Sequence, residues 1–212
     1  VLAGVEEVDL STTVMGIPID LPLFLSPTAL QRLFHHEGER AVGRAAEAFN
    51  TLFGISSLAT VGIEEIAATI RTPKIFQLYY HKDKELTWSM IDRCLDAGFD
   101  ALALTVDTIV GGNRERDLWT GFTSPPKLTP SSLLSFATHP SWTLNYLLRE
   151  PFQLSNLKDH VAEGSNISIS VSDYFSSMLD QSMDWDAAAE VRRRWGKAFC
   201  LKGIMSVEDA QR

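Results

Sequence analysis

Ala101-Leu102-Ala103-Leu104-Thr105-Val106-Asp107-Thr108-Ile109-Val110-Gly111-Gly112-Asn113-Arg114-Glu115-Arg116 is the stretch from which the fold is read. Residues 101–104 are a short apolar run with no polar face, the pattern of a parallel strand covered on both sides. Such a strand should end in apolar residues. This one ends in Thr105 and Asp107, followed by a glycine pair and by Arg114 and Arg116. A carboxylate at the carboxyl end of a buried parallel strand, with guanidinium groups a few residues on, is where α/β proteins carry out chemistry. A turn-capping aspartate beside solvated arginines is the other reading, and this stretch alone leaves both open.

Upstream the same unit repeats. A strand at 21–25 ends in Ser26-Pro27-Thr28-Ala29, where the proline is expected to stop the ladder and leave two hydroxyls at its tip. A helix over 38–49 leads to a strand at 52–55 that ends in Ser56-Ser57. A short helix at 63–70, closed by Pro73, leads to a strand at 75–78 that carries Gln77 and runs into Tyr79-Tyr80. A helix at 84–97 closes at Gly98, a usual residue just past a helix end, and feeds the strand at 101. Strands alternating with helices predict a parallel sheet with right-handed crossovers. Every strand ends in side chains that hydrogen-bond. In a closed (β/α)8 barrel all strand ends meet at one mouth, whereas an open doubly wound sheet brings together only the pair at its switch point, so the repetition favours the barrel.

Downstream the period breaks. Residues 108–183 form a long insertion with five prolines and no clean strand. A helix at 186–195, a fifth strand at 198–201 ending in Lys202-Gly203, and the start of a helix at 208–212 restore it. The chain reads as one α/β domain over 1–212. It supplies about the first five strand-helix units of an eight-unit TIM barrel, with the insertion after the fourth strand, and an open sheet of five would leave raw edges.

Composition narrows the function. A chain of 212 residues, 45% hydrophobic, can bury a core of its own. A net charge of −8 and a pI near 5.1 argue against a nucleic-acid partner, which needs a basic excess. Cys94 and Cys200 have no metal-ligand spacing and read as structural thiols of a reducing compartment. Residues 1–8 have neither a basic nor a long apolar region, and no apolar run is long enough to span a bilayer, so neither a signal peptide nor a spanning helix is expected. His35-His36-Glu37 invites a metal reading, but no third ligand is spaced to complete it, so no metal is expected. Lys202 follows an apolar strand, where an unpaired ammonium would be costly, so something anionic should face it. That partner could be a phosphate, an electron-rich ring or a rim carboxylate such as Asp107; alternatively the amine forms a Schiff base with a carbonyl substrate.

Six motifs occur in the order and spacing of one family. Ser26-Pro27-Thr28-Ala29, Ser56-Ser57-Leu58-Ala59-Thr60, Phe76-Gln77-Leu78-Tyr79, Leu104-Thr105-Val106-Asp107, Arg114-Glu115-Arg116-Asp117 and Leu201-Lys202-Gly203 resemble those of the FMN-dependent α-hydroxy acid dehydrogenases and oxidases. The segment at 122–129 and the region of Trp142 most resemble the bacterial quinone- or cytochrome-linked L-lactate dehydrogenases. The resemblance implies FMN as cofactor, with Pro27, Thr28 and Ala29 along the flavin ring and Ser56, Gln77 and Thr105 on its polar edge. It places Lys202 near the N1 and C2 carbonyl, where the reduced flavin gathers negative charge. Tyr79 and Arg114 would hold the substrate, a small L-2-hydroxy acid such as lactate, and Asp107 would pair with the imidazolium of a catalytic histidine.

The sequence departs from the family in three places. The family's catalytic histidine and a second substrate arginine follow the sixth strand, and no such segment is present here. His35, His36, His81, His139 and His160 do not match that role. A substrate-binding tyrosine near the amino terminus and the late strands that hold the FMN phosphate are also missing, and Leu58 stands where some relatives have tryptophan. The chain by itself is therefore expected to be inactive. The readings that compete with hydroxy acid oxidation are a Schiff-base lyase using Lys202 and a non-catalytic flavin-binding or interface fragment. The resemblance further implies a cytoplasmic homo-oligomer, a tetramer, with a quinone, a cytochrome or oxygen as electron acceptor. The apolar stretch at 133–154 fits contact with the inner-membrane surface, a lid or a subunit interface.

Overall fold

The computed structural model describes residues 4, 7–108, 112–113, 115–121, 129–151, 153–157 and 177–212. Five strands form one parallel sheet: β3 (Leu25–Thr28), β4 (Phe53–Ser56), β5 (Lys74–Leu78), β6 (Ala101–Thr105) and β7 (Ala198–Lys202), neighbours in space in their chain order. A two-stranded antiparallel hairpin, β1 (Thr12–Val14) and β2 (Ile17–Ile19), precedes them. Among the described residues the helices are α1 (Gln31–Phe34), α2 (Glu39–Ala48), α3 (Ile63–Thr69), α4 (Lys84–Asp96), α5 (Glu115–Thr120), α6 (Pro130–Thr138), α7 (Pro140–Leu147), α8 (Trp185–Trp195) and α9 (Val207–Gln211). Strands in sequential order with helices between them form an arc of a β/α barrel.

The central strands β4, β5 and β6 are buried along their whole length, which is why they read as unbroken apolar runs. Phe53, Ile55, Phe76, Leu78, Leu102 and Leu104 pack toward the helices with Ile63, Ile66, Ile91, Val191 and Trp195. Each such side chain contributes about 1.5–3 kcal/mol of transfer free energy. Ile75, Ala101 and Ala103 face the other way, into the arc, where Ile19 and Leu52 meet them. The hairpin thus lies under the inner face.

Capping sets the helix starts. Asp83 accepts hydrogen bonds from the amides of Glu85 and Leu86 at the head of α4, and Asp184 accepts from Ala187 at the head of α8. Glu39, in the first turn of α2, is fully buried, and its carboxylate accepts from the Thr60 amide at 2.8 Å and the Thr60 hydroxyl at 2.6 Å. This ties the loop after β4 to α2. Burial pushes the Lys74 ammonium down from its ordinary value, against the attraction of Asp100 and Glu47, and the ammonium donates to the carbonyls of Ile70 and Thr72. Burial also raises the thiols of Cys94 and Cys200, which places both in the unreactive protonated form.

Three expectations need correction. The first barrel strand runs over Leu25–Thr28 rather than 21–25, so Pro27 lies inside it. It does not stop the ladder, because the register shifts between Leu25 and Thr28 and the proline sits at that irregularity. The insertion, read as irregular, carries α5, α6 and α7 among its described residues. The β1–β2 hairpin was not foreseen at all.

Gly54 makes the displaced β3 possible. A Cβ on Gly54 would lie 2.6 Å from the Leu25 carbonyl oxygen and 2.8 Å from Pro27. All of these are backbone or proline-ring atoms, which cannot swing away. Gly54→Ala is therefore expected to destabilise the chain by about 1–3 kcal/mol, the range of an overpacked core. A urea midpoint equal to that of the unaltered chain would refute this.

Candidate active site

Side chains on a strand alternate between faces, and on the inner face of this sheet they change from apolar to polar toward the carboxyl ends. Ile75 gives way to Gln77, Ala103 to Thr105, and Cys200 to Lys202, while Ser56 pairs in register with Gln77. Ser56, Gln77 and Thr105 are each at most 3% exposed, so protein hydrogen bonds must replace those to water. One chain of bonds does so. The Leu58 amide donates to Ser56 Oγ at 3.1 Å, Ser56 Oγ donates to Gln77 Oε1 at 3.0 Å, and Gln77 Nε2 donates to Thr105 Oγ1 at 2.7 Å. Its direction follows from valence. Oε1 can only accept, which commits the single proton of Ser56, while a second proton on Nε2 and the proton of Thr105 are not used by any described residue. The row therefore offers two donors toward β6.

The next strand adds charge. Thr105 lies opposite Lys202 in register, and the Val106 amide donates to the Lys202 carbonyl at 2.9 Å. Asp107 lies over the following residue: a Cβ on Gly203 would fall 2.5 Å from Asp107 Cγ, and Gly203 has φ 110°. Only glycine suits that position. Lys202 and Asp107 thus open onto the same end of the sheet. Lys202 is exposed at the end of β7, and no described residue forms an ion pair with it. No described histidine hydrogen-bonds Asp107.

The remaining expected site residues fall at the same end. Pro27 and Ala29 are half-buried and Thr28 is exposed at the tip of β3. Tyr79, the first residue past β5, is half-buried and packs on the principal core. Arg114 lies outside the described residues, as do the 122–128 segment and His160. Among the described residues no three His, Cys, Asp or Glu side chains gather into a metal-holding group. His35 and His36 instead lie ring to ring, 4.4 Å apart.

Two features were not foreseen. Gln31 donates from Nε2 to Thr28 Oγ1 at 2.8 Å, a contact created by the turn through Leu30 at φ 56°. The return of the insertion is bound to the loop after β5. The Lys82 amide donates to the Met178 carbonyl at 2.9 Å, the Asp180 amide donates to the Tyr80 carbonyl at 3.0 Å, and His81 bridges Leu179. Lys84 closes this junction by pairing with Asp180 while its ammonium lies 3.6 Å from the centre of the Tyr80 ring. Only the complementary charges at 84 and 180 could have signalled it, across 96 positions of sequence.

Amide and hydroxyl groups thus stand in a row beside a strand-end cation, with a proline and small residues alongside, a set that offers both donors and acceptors. The chain belongs to the FMN-dependent dehydrogenase family, whose model matches residues 1–212. It is 34% identical to the glycolate oxidase of Spinacia oleracea over 211 residues, all of this chain and 51% of that protein. It is 34% identical to the L-lactate oxidase of Nostoc sp. over 215 residues, all of this chain and 53% of that protein. The crystal structure of the monotopic membrane protein (S)-mandelate dehydrogenase matches with a TM-score of 0.90 and 30% identity, covering 99% of this chain and 55% of that one. Those solved relatives make the arc part of a TIM barrel, and the chain spans about half the length of the curated relatives it matches.

The Lys84–Asp180 pair has a defined pH signature. Hydrogen bonds from Lys84, then from the hydroxyl and amide of Ser182, hold the Asp180 carboxyl at about 2, below its ordinary 3.8. A depressed folded-state value stabilises the fold above the unfolded value and is lost as pH falls through the folded one. The stability difference between the unaltered chain and Asp180→Asn should be full at neutral pH, shrink below 3.8 and vanish near 2, read from urea midpoints. A difference independent of pH would contradict it.

Proposed function

We propose that this chain forms the flavin-holding part of an enzyme that uses FMN to oxidise a small L-2-hydroxy acid, such as lactate, to the 2-oxo acid. The observation that carries the reading is the Ser56-Gln77-Thr105 row, whose two uncommitted donors stand beside Lys202. These residues fit the polar edge of a flavin, which needs donors for its carbonyls and a cation where charge accumulates. When bound, FMN supplies the acceptor for the two electrons and hydrogen lost from the substrate carbon. Gln77 and Thr105 hold and orient the ring edge, Pro27, Thr28 and Ala29 flank it, and Lys202 offsets the charge that develops there. Tyr79 binds the substrate, and Arg114 helps hold its carboxylate or the developing charge. Asp107 holds the protonated form of the base that takes the hydroxyl proton, raising its proton affinity.

The competing readings are separated by chemistry. A Schiff-base lyase would form a covalent imine at Lys202, which borohydride traps. A non-catalytic flavin-binding fragment shares the cofactor but turns nothing over. The electron acceptor is a quinone, a cytochrome or oxygen, and the assembly is a homo-oligomer, a tetramer. It is cytoplasmic and lies peripherally on the inner membrane. The membrane part of this reading rests on α6 and α7, which expose Leu133, Leu134, Leu144 and Leu147, and on the similar mandelate dehydrogenase being a monotopic membrane protein. Trp142 stacks on Tyr146, its ring centre 5.0 Å away, and donates to the Leu33 carbonyl at 2.9 Å, which fixes the α6–α7 helical hairpin on the barrel. No described helix is long and apolar enough to cross a membrane.

FMN titrated into the purified chain should lose fluorescence as it binds, and Gln77→Leu should weaken that binding about tenfold or more by leaving ring carbonyls unpaired. Trapping of Lys202 by borohydride with a carbonyl substrate, with no flavin uptake, would overturn the proposal. Phospholipid vesicles should sediment the chain, and Leu133→Ser with Leu144→Ser should release it. Sedimentation unaffected by both substitutions would assign the hairpin to a lid or subunit contact instead.

A further inference from the structure

Gln31 stands apart from the residues already assigned. It is 8% exposed, it opens α1, and it is brought back over the tip of β3 by the left-handed turn at Leu30. Its Nε2 donates to Thr28 Oγ1 at 2.8 Å and approaches the Thr28 carbonyl oxygen at 3.4 Å. Those two partners decide which way round the amide lies, because the reverse orientation would set Oε1 against the Thr28 carbonyl, acceptor against acceptor. With the amide fixed, the Thr28 hydroxyl receives a proton from Gln31 and must direct its own elsewhere. The Gln31 carbonyl oxygen Oε1 is then buried with no hydrogen-bond partner among the described residues. An acceptor buried in that state is rare in a native fold, and the donor of a bound ligand is one way to satisfy it.

We propose that Gln31 is a flavin-positioning residue: its amide nitrogen makes the Thr28 hydroxyl a donor to the bound FMN, and its Oε1 accepts a hydrogen bond from that same molecule. This rests on the flavin reading of the site, since Thr28 is one of the residues assigned to the ring. An oxidised flavin carries its one ring N–H on the pyrimidine edge assigned to Gln77 and Thr105, so the donors left for a lone acceptor beside β3 are the hydroxyls of its ribityl chain. Gln31 would thereby extend the cradle from the row on β4, β5 and β6 to the far edge of the sheet. Residues 28 and 31 are joined by a local turn, so the effect of a substitution should be felt at the cofactor and little in the rest of the fold.

The test compares the unaltered chain with Gln31→Leu and Gln31→Glu, titrated with FMN and, in a parallel arm, with lumiflavin, which lacks the ribityl chain. Gln31→Leu removes both hydrogen bonds at similar volume. Gln31→Glu keeps an acceptor but turns the Thr28 hydroxyl inward, because a carboxylate accepts where the amide donated. FMN affinity should fall about tenfold in each variant, with a shifted visible spectrum of the bound flavin and an unchanged far-ultraviolet circular dichroism spectrum. Loss with lumiflavin as well assigns the effect to the Thr28 hydroxyl at the ring; loss with FMN alone assigns it to the Oε1 contact with the ribityl hydroxyls. Unchanged affinity and spectrum in both variants overturns the role of Gln31 and leaves the flavin reading standing. No FMN binding by the unaltered chain overturns both.

Discussion

Three neutral polar side chains in a line across the inner face of a parallel sheet are the constraint on which the rest depends. Ser56, Gln77 and Thr105 sit on adjacent strands and are hydrogen-bonded one to the next. A slip of one residue in any of the three strands would send its polar group to the helix side and an aliphatic one to the mouth. The registers Ser56 to Gln77 and Thr105 to Lys202 therefore fix the polar row and the cation together. The apolar outer faces of the same strands hold that register, since Phe53, Phe76 and Leu104 pack into the helix layer only in this arrangement.

Around this row the fold spends much of its unusual chemistry on holding loops. Glu39, fully buried, fastens Thr60 and with it the loop after β4. Gly54 admits Pro27 at the tip of β3, and Gly203 admits Asp107 beyond the tip of β7. The Lys84–Asp180 junction seats the end of the insertion against Tyr80, the neighbour of Tyr79. Each device acts within four residues of a side chain assigned to the cofactor or substrate, as a site built on loops over a rigid scaffold requires.

Strand ends were the most legible part of the sequence, because a polar residue after an unbroken apolar run is costly without a partner. Gln77, Thr105 and Asp107 could be placed for that reason. The β1–β2 hairpin was invisible, since Thr12 to Ile19 carries too few residues for a periodic signal. Pro27 misled the reading of β3: a proline demotes a strand in isolation, and only the facing Gly54 makes the irregular ladder possible. Gln31 gave no signal, for its contact with Thr28 depends on a left-handed turn at a leucine.

A crystal structure of this chain soaked with FMN tests the central claim most directly. The account predicts the pyrimidine edge of the isoalloxazine against Gln77 and Thr105, with Lys202 beside it and Pro27 to Ala29 along the ring. Flavin density on the helix side of the sheet, or a ring whose dimethylbenzene edge faces Gln77, would contradict it.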